Sequence, residues 1–214
     1  MNYVGNDIVA YTHPRCTNKW QHKAFIEKIL TQQEQQLLQN ATYKNETLWA
    51  MWTIKEAAYK LSCFTGNRNH FSAIQYEVQE LEIDTIANTN LIQLPTNNLQ
   101  LPTNKHYEAL VQYNGTSYKT DTTLTNNYIH SLVMALHTPY KSIKYGIATH
   151  SFITKNDYSL AVRNFAMQQL AIQNIHCYAI DKDADGIPYC IVTGNKHQYI
   201  SLSHDQQFIA FAFL

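Results

Sequence analysis

The chain has 214 residues, enough for one large domain or two small ones with a substantial buried core. Its 16 basic and 16 acidic residues balance, so bulk electrostatics predict neither a nucleic-acid partner nor a membrane-surface role. Fifteen tyrosines and heavy use of Asn, Gln and Thr fit a folded chain with polar loops, not a disordered one.

The opening "MNYVGNDIVAY" has neither a basic n-region nor an apolar h-region, so no secretory signal is expected. No run reaches the roughly 18 apolar residues of a membrane-spanning helix. Cys16, Cys63, Cys177 and Cys190 form no CxxC pair and read as free thiols, which makes the cytoplasm the expected location.

In chain order, "NYVGNDIVAY" alternates around a glycine and predicts a strand. "NKWQHKAFIEKIL" has helical spacing, and "TQQEQQLLQN" opens on a Thr-x-x-Glu capping box. Residues 48–61, "LWAMWTIKEAAYKL", predict a third helix that stops at the Gly66 turn. "FSAIQYEVQELEI" alternates as a strand. Residues 86–105 contain Leu-Pro-Thr-Asn twice and predict a polar loop or a hairpin turning at each proline. "HYEALVQYNGTSYKTDTTL" is a hairpin about Asn-Gly, and "NYIHSLVMAL" is a buried strand. The remaining segment repeats these element types in shorter form. It has a linking strand in "SIKYGIATHSFI", an amphipathic helix in "DYSLAVRNFAMQQLAIQ", two strands about an Asp-rich turn and a terminal hairpin, "YISLSHDQQFIAFAFL". The predicted class is α+β in two similar halves, residues 1–140 and 141–214.

Three motifs carry chemistry. On the third helix, Ala50, Met51, Ile54, Ala57, Ala58 and Leu61 gather on one side as a core face, opposite Trp49, Trp52, Glu56, Tyr59 and Lys60. An exposed Glu56–Lys60 pair would be worth only about 0.2–0.5 kcal/mol. Two tryptophans and a tyrosine around it point instead to a lined cleft. On the first strand, Asp7 shares a face with Gly5 and Val9. An acid there needs a partner. That partner is either a lysine or a hard divalent cation shared with Glu56. In "SLSHD", Ser201 and Ser203 point to one side and His204 closes the strand, serving either as a local cap or as donors to a phosphate or a base edge. No Gly-x-Ser-x-Gly elbow surrounds these serines, which disfavours a hydrolase nucleophile.

Gly5-Asn6-Asp7 followed by Trp52, Lys55, Glu56 and Lys60 resembles the 4′-phosphopantetheinyl transferase superfamily, with its Gly-x-Asp strand and Trp-x-x-Lys-Glu-x-x-x-Lys helix. The resemblance implies Mg²⁺-dependent transfer of phosphopantetheine from coenzyme A to a serine of an acyl or peptidyl carrier protein. It implies Asp7 and Glu56 as metal ligands and Glu56 and Lys60 as catalytic residues. It also implies Ser203, His204, Arg163, Arg68, Lys55 and Trp52 as the candidates that meet coenzyme A.

The arginine helix (Arg163), a Gly-x-Pro turn (Gly186, Pro188) and "SLSHD" are similar to the first half of the larger, surfactin-type members. Here they follow the Asp-strand half, which implies a circularly permuted pseudo-dimer and a monomer. The alternative is a small holo-acyl-carrier-protein synthase with an insertion from about 84 to 157, which implies a trimer. Val9 stands where many larger members carry a second acid, and Ile187 where the turn usually holds a base. A coenzyme A or carrier-binding module without catalysis, and Mg²⁺-dependent diphosphate hydrolysis, remain as other readings.

Overall fold

The computed structural model describes residues 3–84, 105–151 and 155–214. The Leu-Pro-Thr-Asn repeat lies outside the described residues. Ten strands among those described form two five-stranded antiparallel sheets. The first contains β1 (Val4–Val9), β2 (Glu77–Asp84), β3 (Lys105–Tyr113), β4 (Thr116–Leu124) and β5 (Ile129–Ala135), in the order β1-β5-β4-β3-β2. The second contains β6 (Lys144–Thr149), β7 (Cys177–Lys182), β8 (Pro188–Val192), β9 (Lys196–Asp205) and β10 (Phe208–Phe213), in the order β6-β10-β9-β8-β7. Within each sheet the sequence of pairings is the same, and in each a long helix lies in the chain between the first strand and the second. The expected two similar α+β halves are what the chain forms. The segment read as a linking strand is β6, an integral edge of the second sheet.

Helices α1 (Lys23–Ile29) and α2 (Gln32–Asn40) lead into α3 (Lys44–Phe64). The capping box on α2 is formed: Glu34 N–H donates to Thr31 Oγ1 at 3.3 Å and Thr31 N–H to Glu34 Oε2 at 2.7 Å. No glycine or proline interrupts the 21 residues of α3. It ends where Gly66 takes φ +104°, with Gly66 N–H on the Cys63 carbonyl and Asn67 N–H on that of Ser62, satisfying carbonyls the helix leaves open. Leu48, Met51, Ile54, Ala57, Ala58 and Leu61 are buried against the first sheet, each large one contributing about 1.5–3 kcal/mol. A chain of hydroxyls runs beneath them, from Thr122 through Ser131 to Thr53, each link 2.8 Å long.

Strand β1 is covered on both sides. Gly5, Asp7 and Val9 face α3, and a Cβ at Gly5 would fall 2.0 Å from the Ala57 carbonyl oxygen. Val4, Asn6, Ile8 and Ala10 are buried on the other face, where β9 and β10 of the second sheet pack. Val4 joins Leu132, Met134, Ile143 and Ala212, while Ile8 and Ala10 join Phe208 and Ala210. Helix α4 (Lys155–Ile172) covers the far face of the second sheet through Ala166 and Leu170. Among the described residues no helix is long and apolar enough to cross a membrane.

One expectation for α3 is corrected. Trp49 is not on the cleft side: it is 7% exposed, packs with Val9, Tyr107 and Ile129, and donates its indole N–H to the Cys16 carbonyl at 3.0 Å. The segment after β1 folds over that end of the helix, which gives the indole both a wall and an acceptor. Beyond the first turn of α3, the half-exposed side chains are Trp52, Glu56, Tyr59, Lys60 and Cys63, a stripe with helical spacing.

Candidate active site

The first strand and the stripe on α3 meet at Asp7, Glu56 and Lys60. Lys60 Nζ donates to Asp7 Oδ1 at 2.8 Å and to the Asn6 carbonyl at 3.0 Å, so the lysine tethers the helix to the strand. Burial raises the Asp7 pKa, and the Lys60 charge opposes the rise. Burial also pushes the Glu56 carboxyl up to about 7, and the charge of Asp7 adds to the shift. Two acids therefore lie near one cation, and the charge of Asp7 makes Glu56 harder to ionise.

That donor set fits a hard divalent cation. Two carboxylates would supply oxygen ligands, and water and substrate would supply the rest. Among the described residues no three His, Cys, Asp or Glu side chains gather to hold a metal by themselves. Val9, on the same strand face as Asp7, is packed in the core and gives no further ligand.

The residues expected to meet coenzyme A are placed unevenly. Trp52 stands at the head of the stripe, its ring centroid 5.7 Å from Phe71 and 6.3 Å from both Phe25 and Trp49. Arg163 lies on α4, and its buried Nε finds no hydrogen-bond partner among the described residues. Arg68, past the end of α3, donates to Asp185 at 2.5 Å in the turn between β7 and β8, and to the carbonyls of Cys63 and Asn67. It thus reaches the very turn that lacks a base. Ile187 there is buried, and Asp183 Oδ1 caps the turn by accepting from Ile187 N–H at 2.9 Å and Asp185 N–H at 3.0 Å.

Lys55 must be reassigned. Its side chain is fully buried, and Nζ donates to Glu34 Oε2 at 2.7 Å and to the Ala73 carbonyl at 3.0 Å. A cation without water needs a counter-charge, and α2 provides one. Glu34 also accepts from Val78 N–H, so the pair knits α2, α3 and β2 together.

The "SLSHD" serines and histidine do not share a face. Strand β9 continues through Asp205, so Ser201, Ser203 and Asp205 point toward β1 while His204 points the opposite way. Ser203 Oγ accepts from Asn6 Nδ2 at 2.8 Å, and Ser201 Oγ from Asn6 N–H at 2.8 Å. The serines are thereby committed to the seam between the sheets. His204 keeps much of its surface in solvent and stacks on Tyr158; partial desolvation of the ring and then the charge of Lys60 lower its pKa, while Asp205 and Asp7 oppose.

Two residues at this seam escaped the sequence reading. Asp205 accepts from Ala10 N–H at 2.8 Å and pairs with Arg15, clamping the end of β1 to β9. Strict alternation from Ser201 would have placed it there. His130 is fully enclosed on β5, its Nε2 3.3 Å from Asn6 Nδ2, and burial holds its pKa down at about 3. No local motif marks it.

The second half has no matching acid. Gly146 in β6 backs onto Phe165 of α4 much as Gly5 backs onto α3, but the residue two further on is Ala148. No curated protein matches the chain. The family model described as 4′-phosphopantetheinyl transferase superfamily matches residues 3–133, which span β1, α3 and all but the last residues of the first sheet. With Asp7, Glu56 and Lys60 converging inside the matched region, the chain belongs to the 4′-phosphopantetheinyl transferase superfamily.

Proposed function

We propose that this protein transfers 4′-phosphopantetheine from coenzyme A to a serine of an apo-acyl or apo-peptidyl carrier protein and releases 3′,5′-ADP. The observation that carries the reading is the Asp7–Glu56–Lys60 group, an acid titrating near neutrality beside a second acid and a lysine. Asp7 and Glu56 would hold Mg²⁺, which when bound neutralises charge on the diphosphate. Glu56 accepts the serine proton as the serine oxygen bonds to the β-phosphorus. The phosphorus–oxygen bond to the nucleotide breaks, and Lys60 stabilises the charge that collects on the departing phosphate. His204, Arg163 and Arg68 are assigned to the nucleotide end, and Trp52 to the cleft wall. The cytoplasm, where coenzyme A and apo-carriers meet, is the proposed location.

We further infer a permuted pseudo-dimer, with a catalytic half in residues 1–140 and a Ser-His half in 141–214. The same strand order in both sheets supports this, because an insertion into one unit gives no reason for a repeated topology. Such a chain completes its own site and runs as a monomer in a solution-mass measurement; a trimer refutes the permutation.

The test of function is labelling of purified apo-carriers with a fluorescent coenzyme A analogue and Mg²⁺. Wild type labels the carrier with release of one 3′,5′-ADP, and Glu56→Gln does not. Labelling by Glu56→Gln near the wild-type rate removes its role as base. Binding without release assigns a non-catalytic module instead.

A further inference from the structure

His204 comes from a strand whose other face is fully engaged. Ser201, Ser203 and Asp205 are tied to β1, so the backbone on either side of His204 is held in place. The imidazole itself turns about a terminal torsion with a broad energy well, so a rigid strand does not fix its plane. Tyr158, near the start of α4, does. The two rings lie 4.8 Å apart between centroids and 17° from parallel. Stacked contact of this kind resists rotation of either ring. The charges of Lys60 and Asp7 in the other half reach His204, so the imidazole senses the acid–lysine group.

We propose that Tyr158 is a positioning residue for the nucleotide: its ring fixes the plane of the His204 imidazole, so that a ring nitrogen meets the phosphate without first losing rotational freedom. This rests on the assignment of His204 to the nucleotide end of coenzyme A. The contact that matters here is with the His204 ring, so the contribution of Tyr158 through it falls on binding and leaves the chemical step alone. Preorganisation lowers the cost of ordering a side chain on binding.

The experiment measures coenzyme A affinity by calorimetry for wild type, Tyr158→Phe, Tyr158→Leu, His204→Ala and the Tyr158→Leu/His204→Ala double variant. A stacked pair worth about 0.5–1.5 kcal/mol corresponds to a loss of about two- to tenfold for Tyr158→Leu. Tyr158→Phe, which keeps the ring, stays near wild type. The double variant binds no worse than His204→Ala alone, because Tyr158 acts only through the imidazole. Additive losses, or a Phe variant as weak as the Leu variant, overturn the proposal.

A second readout needs no ligand. The His204 ring protons shift in the NMR spectrum of Tyr158→Leu and not in that of Tyr158→Phe, and unchanged His204 signals in the Leu variant also refute the idea. Should wild type bind coenzyme A yet label no carrier, the proposed reaction fails while the affinity series still decides the role of Tyr158. Should wild type bind no coenzyme A, the assignment of His204 falls and takes this proposal with it.

Discussion

Replacing Gly5 by alanine tests how closely the acid strand and the catalytic helix must approach. The new methyl carbon would sit 2.0 Å from the Ala57 carbonyl oxygen and 3.0 Å from Leu61 Cβ. The first contact is with backbone, so no rotamer change relieves it. Strand and helix must separate by about 1 Å to reach the tightest tolerable approach. Overpacking of this kind costs about 1–3 kcal/mol, and the backbone target puts Gly5→Ala at the upper end. For a chain of this size that lowers the melting temperature by roughly 6–12 °C. Ala57 is bonded to Glu56, so the same displacement moves Glu56 away from Asp7. A misplacement of about 1 Å costs on the order of 100-fold in rate.

Gly146→Ala is the control. The nearest atoms to its methyl are the ring edges of Phe211 at 2.9 Å and Phe165 at 3.1 Å, side chains that give way more easily than backbone, and the residue two further along the strand is Ala148 where β1 has Asp7. We expect about 1 kcal/mol of destabilisation and a rate close to wild type. Thermal melts followed by carrier labelling of the folded fraction decide the matter. A Gly5→Ala protein within about 0.5 kcal/mol of wild type and undiminished in rate refutes the reasoning, as does a Gly146→Ala protein equally impaired.

Other outcomes follow from the charges. Glu56 titrates at about 7 in the folded chain against 4.5 for an unperturbed carboxyl, so between those values the native state holds a proton that the unfolded state has lost. Stability therefore falls as pH rises through that window. Glu56→Gln escapes the loss and melts higher than wild type at pH 8 while being inactive; an equal or lower melting temperature contradicts the crowded-acid picture. Labelling by wild type rises with pH toward and through about 7, and Mg²⁺ moves the inflection to lower pH if Asp7 and Glu56 hold it. Lys60→Ala slows the chemical step more than it weakens coenzyme A binding, and a change in binding alone would be inconsistent with its leaving-group role. Lys55→Met strands Glu34 without its cation, costing about 3–5 kcal/mol, yet the folded fraction binds coenzyme A with wild-type affinity. A selective loss of affinity would restore Lys55 to the ligand.

The local elements were legible because their signals are local. The Thr31–Glu34 box and the Asn114–Gly115 turn are set by neighbours a few residues apart. The side-sharing of Gly5, Asp7 and Val9 follows from the pleat alone. The stripe of Trp52, Glu56 and Lys60 follows in the same way from helical pitch. Periodicity could not show which face finds a second cover. Trp49 was misplaced because the segment around Cys16 folds over it, and Lys55 because its counter-ion comes from α2, 21 residues earlier. His204 is not the strand end that the motif suggests, because β9 runs on through Asp205 and turns the imidazole away from the serines. The seam between the halves has no sequence signature, since Asn6 and Ser203 are 197 positions apart.

Strand β1 is sandwiched, with α3 on one flank and β9 and β10 on the other, while Asp205 and Asn6 stitch it to the latter. The acid that would grip the ion therefore rides on the keystone of the whole assembly. Prying the sheets apart like a clamshell would tear that strand from one neighbour or the other. On the proposed function, substrates would slip in along the rim, and a carrier would deliver its serine to a mouth already formed.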